Sequence, residues 1–217
     1  MKYRYVTIER EYGSGGTQIA QKLSEQLCIP LYGRRLLELV AEEMNTDVDK
    51  IEEFEEKASD SFLFSVVMMN RIASDNFPSK PGEGGIYFDE RRIIRDLANA
   101  GPAIFVGHCA SLALADRTGV LKIFLYADDT TKNKRVREEY HIAEHEVEST
   151  RRRFDKKRSA YFEANTGMQW RNPQNYDLML NTALGIDTCV RIICEAAGGS
   201  CGPADVEPVD EDAGDEI

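Results

Sequence analysis

Gly13, Gly15 and Gly16 crowd into a short run that ends in Thr17. Before them, Tyr5, Val6 and Ile8 have strand character; after them, Ile19, Leu23 and Leu27 recur at the helical spacing of four. The pattern predicts a strand, a glycine turn and a helix start. Such a turn gathers backbone N–H groups without partners at the positive end of a helix dipole, which makes it a cradle for anions. The chemistry this suits is phosphate binding, with Arg10, Gly13, Ser14, Gly15, Gly16 and Thr17 as the binding residues.

The usual phosphate loop reads G-x-x-x-x-G-K-[ST], with the lysine on the terminal phosphates and the hydroxyl on Mg²⁺. Laid over it, this chain has Arg10 where the first glycine belongs, Gly16 where the lysine belongs, and the hydroxyl kept at Thr17. A glycine turn without a ligand is the alternative reading of the same residues. A dinucleotide turn, G-x-G-x-x-G, fails at Gln18.

The second chemistry-bearing stretch is Glu144 to Glu163. At about 100° per residue, Val147, Arg151, Phe154, Arg158 and Tyr161 share one narrow stripe. Two permanently charged forks therefore lie on the face that should meet the protein, where they could neutralise a migrating phosphoryl group. The alternative is a basic surface helix whose arginine stems lie over apolar neighbours. A net charge of +5 over residues 151–158 stands out in a chain whose formal charge is −11. One short basic helix without an aromatic stacking platform is a poor nucleic-acid footprint, so no nucleic-acid partner is expected. His141 and His145 are four apart, but no third ligand follows, and exposed helix positions explain them better than a metal.

The elements that must position these groups alternate. A first strand at residues 3–9 and a helix at 16–28 lead to the extended link Ile29-Pro30-Leu31-Tyr32. A helical, acidic stretch follows over 34–57, with its charges on the wet side. Phe62 to Ile72 reads as a helix, Asn76 to Gly85 as a loop, and Asp89 to Ala100 as a helix stopped by Gly101-Pro102. Ala103–Val106, Leu121–Tyr126 and Asp177–Asn181 read as strands. Helices between strands predict a three-layer α/β fold, a parallel sheet with helices on both faces, whose ligands sit at the carboxyl ends of the strands. Gly13, Gly107, Ala127 and Asn181 fall there.

The 217 residues suffice for one ample core. Seven of the negative charges lie in the Gly-, Pro- and acid-rich tail 198–217, expected to be disordered, which leaves only −4 for the body at 1–197. There is no apolar run of membrane-spanning length and no apolar segment after the opening MKYRYVTIE. The expectation is a cytoplasmic protein without a membrane partner. Five scattered cysteines with no C-x-x-C pair predict reduced thiols. The acidic helices leave a homo-oligomer open.

Taken together, Arg10-Glu-Tyr-Gly-Ser-Gly-Gly16, Phe105-Val-Gly-His-Cys-Ala110, Lys122-Ile-Phe-Leu-Tyr-Ala127 and Trp170-Arg-Asn-Pro-Gln-Asn-Tyr-Asp-Leu-Met-Leu-Asn-Thr182 resemble the cytidylate kinase-like family, a branch of the P-loop nucleoside monophosphate kinases. The resemblance runs over roughly residues 3–197. It implies ATP and Mg²⁺ as cofactors, with Thr17 toward the metal. It also implies an acceptor-side helical region at about 34–100 and a helical lid at about 130–170 that brings Arg135, Arg151 and Arg158 to the reaction. Arg151, Asp155 and Arg158 reproduce the spacing with which cytidylate kinases hold the acceptor, and His108 would join them. His108 and Cys109 stand where cytidylate kinases usually have arginine and aspartate, and Gly33 stands where an acid commonly follows the tyrosine. Arg10, Lys22 or the lid arginines would compensate for the lysine that Gly16 replaces. The implied function is transfer of the ATP γ-phosphoryl group to a CMP-like nucleoside monophosphate. The alternatives are a nucleotide-binding module that has lost catalysis and a kinase of a non-nucleotide small molecule.

Overall fold

A computed structural model describes residues 2–49 and 86–198. Strands β1 (Tyr5–Arg10), β2 (Leu31–Tyr32), β3 (Ala103–Val106), β4 (Val120–Tyr126) and β5 (Leu178–Asn181) form one parallel sheet in the order β2-β3-β1-β4-β5. Seven helices lie wholly within the described residues: α1 (Gly16–Leu27), α2 (Arg34–Met44), α3 (Ile86–Ala100), α4 (Ala110–Ala113), α5 (Asp129–Tyr140), α6 (Glu144–Thr166) and α7 (Ile186–Ala196).

Alternation along the strands divides the core into two layers. Tyr5, Ala103 and Phe105 point to one face, where Leu36, Leu37 and Val40 of α2 and Ile93, Ile94 and Ala98 of α3 close over them. Val6, Ile8, Ile104, Val106, Ile123 and Leu125 point to the other, under Ile19 and Leu23 of α1 and Val190 and Ile193 of α7. The Tyr5 hydroxyl, buried beneath α3, donates to the Ala98 carbonyl at 2.8 Å, so the strand's first residue is tied to the helix that covers it. A third cluster, Tyr87, Phe88, Phe124, Phe162 and Trp170, seats α6 against α3 and β4.

The chain enters the sheet at its central strand and then fills positions on either side of it. The turn after β1 therefore opens at the point where strand order reverses, the usual place for a ligand in such sheets. The predicted three-layer α/β architecture is the one observed.

Two sequence expectations change. The link at Leu31-Tyr32 pairs with Ile104 and Phe105 as the edge strand β2, because Pro30 there needs no donor of its own and its carbonyl accepts from Ile104 N at 2.9 Å. The helix expected over 34–57 stops at Met44: Asn45 takes a left-handed conformation (φ 50°), its N–H returns to the Ala41 and Glu42 carbonyls, and helix resumes at Val48. The expected helix at Phe62–Ile72, the loop at Asn76–Gly85 and the tail beyond Gly198 lie outside the described residues. Among the described residues Cys28, Cys109, Cys189 and Cys194 form no disulfide. Among the described residues no helix is long and apolar enough to cross a membrane.

Candidate active site

The turn after β1 is built from glycines that packing and backbone geometry both require. Gly13 (φ 76°) and Gly15 (φ 75°) are left-handed, where a side chain is strained. A β-carbon at Gly13 would stand 2.7 Å from Val136 Cγ2 and 2.9 Å from the Lys132 carbonyl oxygen; at Gly15 it would stand 2.6 Å from Ile186 Cδ1. Ser14 closes the turn, its hydroxyl donating to the Glu11 carbonyl at 2.7 Å. Its own carbonyl is turned backwards, accepting from Arg135 Nη1 (2.9 Å) and Thr182 Oγ1 (2.7 Å). With that carbonyl facing away, the amides of Gly15, Gly16, Thr17 and Gln18 open the first turn of α1 and have no acceptor among the described hydrogen bonds. Thr17, the second residue of α1, is exposed.

Helices α5 and α6 brace this turn. The Tyr12 N–H donates to Asp155 Oδ1 at 2.7 Å, and the Tyr12 ring stacks on Phe154 with centroids 4.6 Å apart. Glu11 accepts from Lys132 Nζ (2.7 Å) and from Arg171 Nε (2.9 Å), and Arg171 also reaches Asp155 Oδ2 at 3.3 Å. Burial pushes the Asp155 carboxyl above the usual carboxylate range; the Tyr12 N–H and the Arg158 and Arg171 charges oppose this, while Glu11 reinforces it.

The cleft beside the turn, about 430 Å³, is lined by Glu9, Arg10, Arg34, His108, Lys157 and Arg158, with Phe154, Tyr161 and Phe162 among its apolar walls. Arg158 lies over the Tyr12 ring (5.6 Å) and donates from Nη1 to the Arg10 carbonyl at 3.2 Å. Burial lowers the pKa of its guanidinium, with the Asp155 and Glu9 carboxylates opposing. His108 Nδ1 donates to Glu90 Oε1 at 2.7 Å, and the other oxygen of this fully buried carboxylate accepts the Tyr161 hydroxyl. Gly107, His108 and Cys109 are left-handed in succession (φ 79°, 56° and 51°), two of them at the cost that a β-carbon imposes there. Glu9 accepts the indole N–H of the buried Trp170 at 3.0 Å.

The predicted site residues thus fall into three places. Arg10, His108 and Arg158 line the cleft, beside the turn formed by Gly13, Ser14, Gly15, Gly16 and Thr17. Arg151 and Asp155 line a second cavity, of about 730 Å³, on the other side of α6, together with Glu11, Lys132 and Arg171. There Arg151 is bound to Asp129 Oδ1 (2.5 Å), the Asp129 carbonyl (3.1 Å) and Asn133. Arg135 sits behind the turn, tied to Ser14 and Thr182. His141 and His145 share no helix: His141 is the left-handed residue that ends α5, and His145 opens α6. Among the described residues no cluster of three metal-ligating side chains exists. Glu9, Glu90 and Lys132 were not foreseen, and Glu11 and Trp170 were marked only as members of motifs, without a role. The available signal was a pair of acids, Glu9 and Glu11, at the end of an otherwise apolar strand.

The sequence profile of the cytidylate kinase-like family matches residues 5–184. The chain belongs to the cytidylate kinase-like family. Its fold is similar to that of an uncharacterized protein from Eubacterium ventriosum ATCC 27560 (24% identity, TM-score 0.66, 90% of this chain and 99% of that one). It is also similar to shikimate kinase from Bacteroides thetaiotaomicron (15% identity, TM-score 0.51, 89% of this chain and 98% of that one). No curated protein matches the sequence.

As a P-loop kinase-like fold, the arrangement has two halves whose chemistry is complementary. The amides of Gly15 to Gln18 with the Thr17 hydroxyl suit a polyphosphate. The adjoining cleft presents Arg10, Arg34, Lys157 and Arg158, and so suits a second, anionic molecule. Its size is that of a small-molecule site.

Proposed function

We propose that this member of the cytidylate kinase-like family is an ATP-dependent phosphotransferase acting on a small anionic acceptor, with a CMP-like nucleoside monophosphate as the leading acceptor. The observation that carries the reading is adjacency: an amide cradle and a cleft lined by four cationic side chains share one boundary residue, Arg10.

In this reading the amides of Gly15 to Gln18 hold the phosphate chain, and Arg158 and Arg10 neutralise the charge that spreads over the migrating group. Thr17 would supply the hydroxyl that a phosphate loop offers to Mg²⁺. When bound, Mg²⁺ offsets phosphate charge. Glu90 fixes the ring of His108 at the acceptor wall, and Tyr161 fixes Glu90 in turn. No covalent intermediate on the protein is needed, because positioning and charge neutralisation supply the catalysis.

A second reading, a kinase of a non-nucleotide anionic acceptor, is favoured by one feature. Of the Arg151, Asp155 and Arg158 set, only Arg158 faces the cleft, while Asp155 holds the Tyr12 N–H. Coupled ATP turnover against nucleoside monophosphates and small anionic alcohols separates the readings. Turnover above an Arg158→Ala control is expected. A rise in melting temperature with ATP but no turnover with any acceptor would instead mark a nucleotide-binding module without catalysis.

A further inference from the structure

The chain departs from G-x-x-x-x-G-K-T at two positions, Arg10 for glycine and Gly16 for lysine. In sequence these are separate losses, six residues apart. In space they are in contact. A β-carbon built on Gly16 would lie 2.8 Å from both Cβ and Cγ of Arg10, so the Arg10 stem fills the volume in which a residue-16 side chain would begin. Further out, the Arg10 guanidinium crosses Gly107, where a β-carbon would strike Nη1. Gly16 and Gly107 are thus the two bare backbones between which Arg10 runs from the phosphate turn to the cleft. The third tie is the Arg10 carbonyl, which accepts from Arg158.

Lys22, Arg135 and Arg151, three other cations named for this role, have partners of their own. Lys22 pairs with Asp187 (2.5 Å) on the exposed side of α1. Arg135 is held behind the turn by Ser14 and Thr182, and Arg151 by Asp129 and Asn133.

We propose that the two departures are one exchange: the phosphate-binding cation has moved from position 16 to position 10, and the glycine that makes room for it has moved from 10 to 16. Arg10 is the terminal-phosphate ligand of this loop. A lysine at 16 cannot coexist with it, because both stems claim the same space. The inference rests on the phosphotransferase reading, since it presupposes that the turn binds polyphosphate.

Calorimetric titration with ATP·Mg²⁺ and with inorganic triphosphate tests it in wild type, Arg10→Met, Arg10→Lys, Gly16→Lys and the double swap Arg10→Gly/Gly16→Lys. A melting curve of each unliganded variant checks its fold. Loss of a charge-assisted phosphate contact should weaken both ligands roughly 10- to 100-fold in Arg10→Met. Arg10→Lys should fall between that variant and wild type. Gly16→Lys alone should weaken binding through displacement of Arg10, and the double swap should recover most of what either single change loses. If Arg10→Met does not fold, Arg10→Lys and the double swap decide alone. Wild-type affinity in Arg10→Met, or a double swap no tighter than the weaker single variant, overturns the exchange and leaves the phosphotransferase reading standing. Wild type that binds neither ligand overturns both.

Discussion

Lys132 Nζ lies 2.7 Å from Glu11 Oε2 with both side chains about nine-tenths buried, so a helix after β4 is pinned by a charge to the strand end that leads into the glycine turn. Glu11 is shared with Arg171, which makes the pair part of a network. Removing Lys132 leaves Glu11 with Arg171 as a cationic partner, so Lys132→Met should cost about 1.5–3 kcal/mol, the worth of a charge-assisted hydrogen bond, by urea denaturation. Lys22–Asp187, equally short but exposed on both sides, is the contrast: Lys22→Met should cost about 0–1 kcal/mol. Equal costs for the two variants would show that the Lys132 pair is solvated and not a brace.

Gly13 faces the same helix. Its left-handed φ of 76° alone costs an alanine about 1–2 kcal/mol. The Lys132 carbonyl and Val136 then leave no room for the methyl group. Gly13→Ala should therefore lower the melting temperature by more than Gly101→Ala, since Gly101 has open space around it. It should also abolish the ATP-induced shift, because the methyl group prises α5 from the turn. An unchanged shift would mean that the turn tolerates displacement.

Asp155 gives the fold a pH dependence of definite sign. Its carboxyl is raised in the folded protein, first by burial, so its contribution to stability is complete below the unfolded value of about 3.9 and is lost as pH climbs through the raised folded value. The Asp155→Asn variant keeps a side-chain oxygen for the Tyr12 N–H and has nothing to titrate there. The stability of wild type relative to this variant should therefore fall as pH rises from about 4 toward neutrality. A difference that stays flat, or grows in favour of wild type, would show that Arg158 and Arg171 outweigh burial.

Much of this fold was legible because periodicity reports burial. The apolar run Ala103–Val106 is buried throughout, and of the stripe on α6 Val147 and Arg151 are buried while Phe154, Arg158 and Tyr161 are half-buried along the cleft wall. The glycine turn was legible for a different reason, since few other residues accept its backbone angles. What stayed hidden was convergence. Arg151 and Arg158 are seven residues apart, about 10 Å along α6, and that separation takes one to α5 and the other into the cleft. Glu90 is distant in sequence from both His108 and Tyr161 and has no local pattern that marks it. Asp155 offers the spacing of an acceptor ligand, but its actual partner, the Tyr12 amide, is a backbone group that every residue but proline possesses.

Trp170 is the chain's single tryptophan, which makes the cleft directly observable. Its indole is fully buried, and its N–H donates to Glu9, a residue of the cleft wall. A phosphate-bearing ligand entering beside Arg10 and Arg158 changes the field at Glu9, and through that hydrogen bond the field at the indole. Emission should be that of a buried tryptophan and little affected by iodide. It should change in intensity on saturation with ATP·Mg²⁺ together with an acceptor that turns over. In Glu9→Gln the ligand-induced change should shrink while the emission maximum stays that of a buried ring, because the carboxylate and not the burial of the ring carries the signal. Saturation without any change in wild-type emission would place the ligand away from the Glu9 wall, and would move the acceptor out of this cleft.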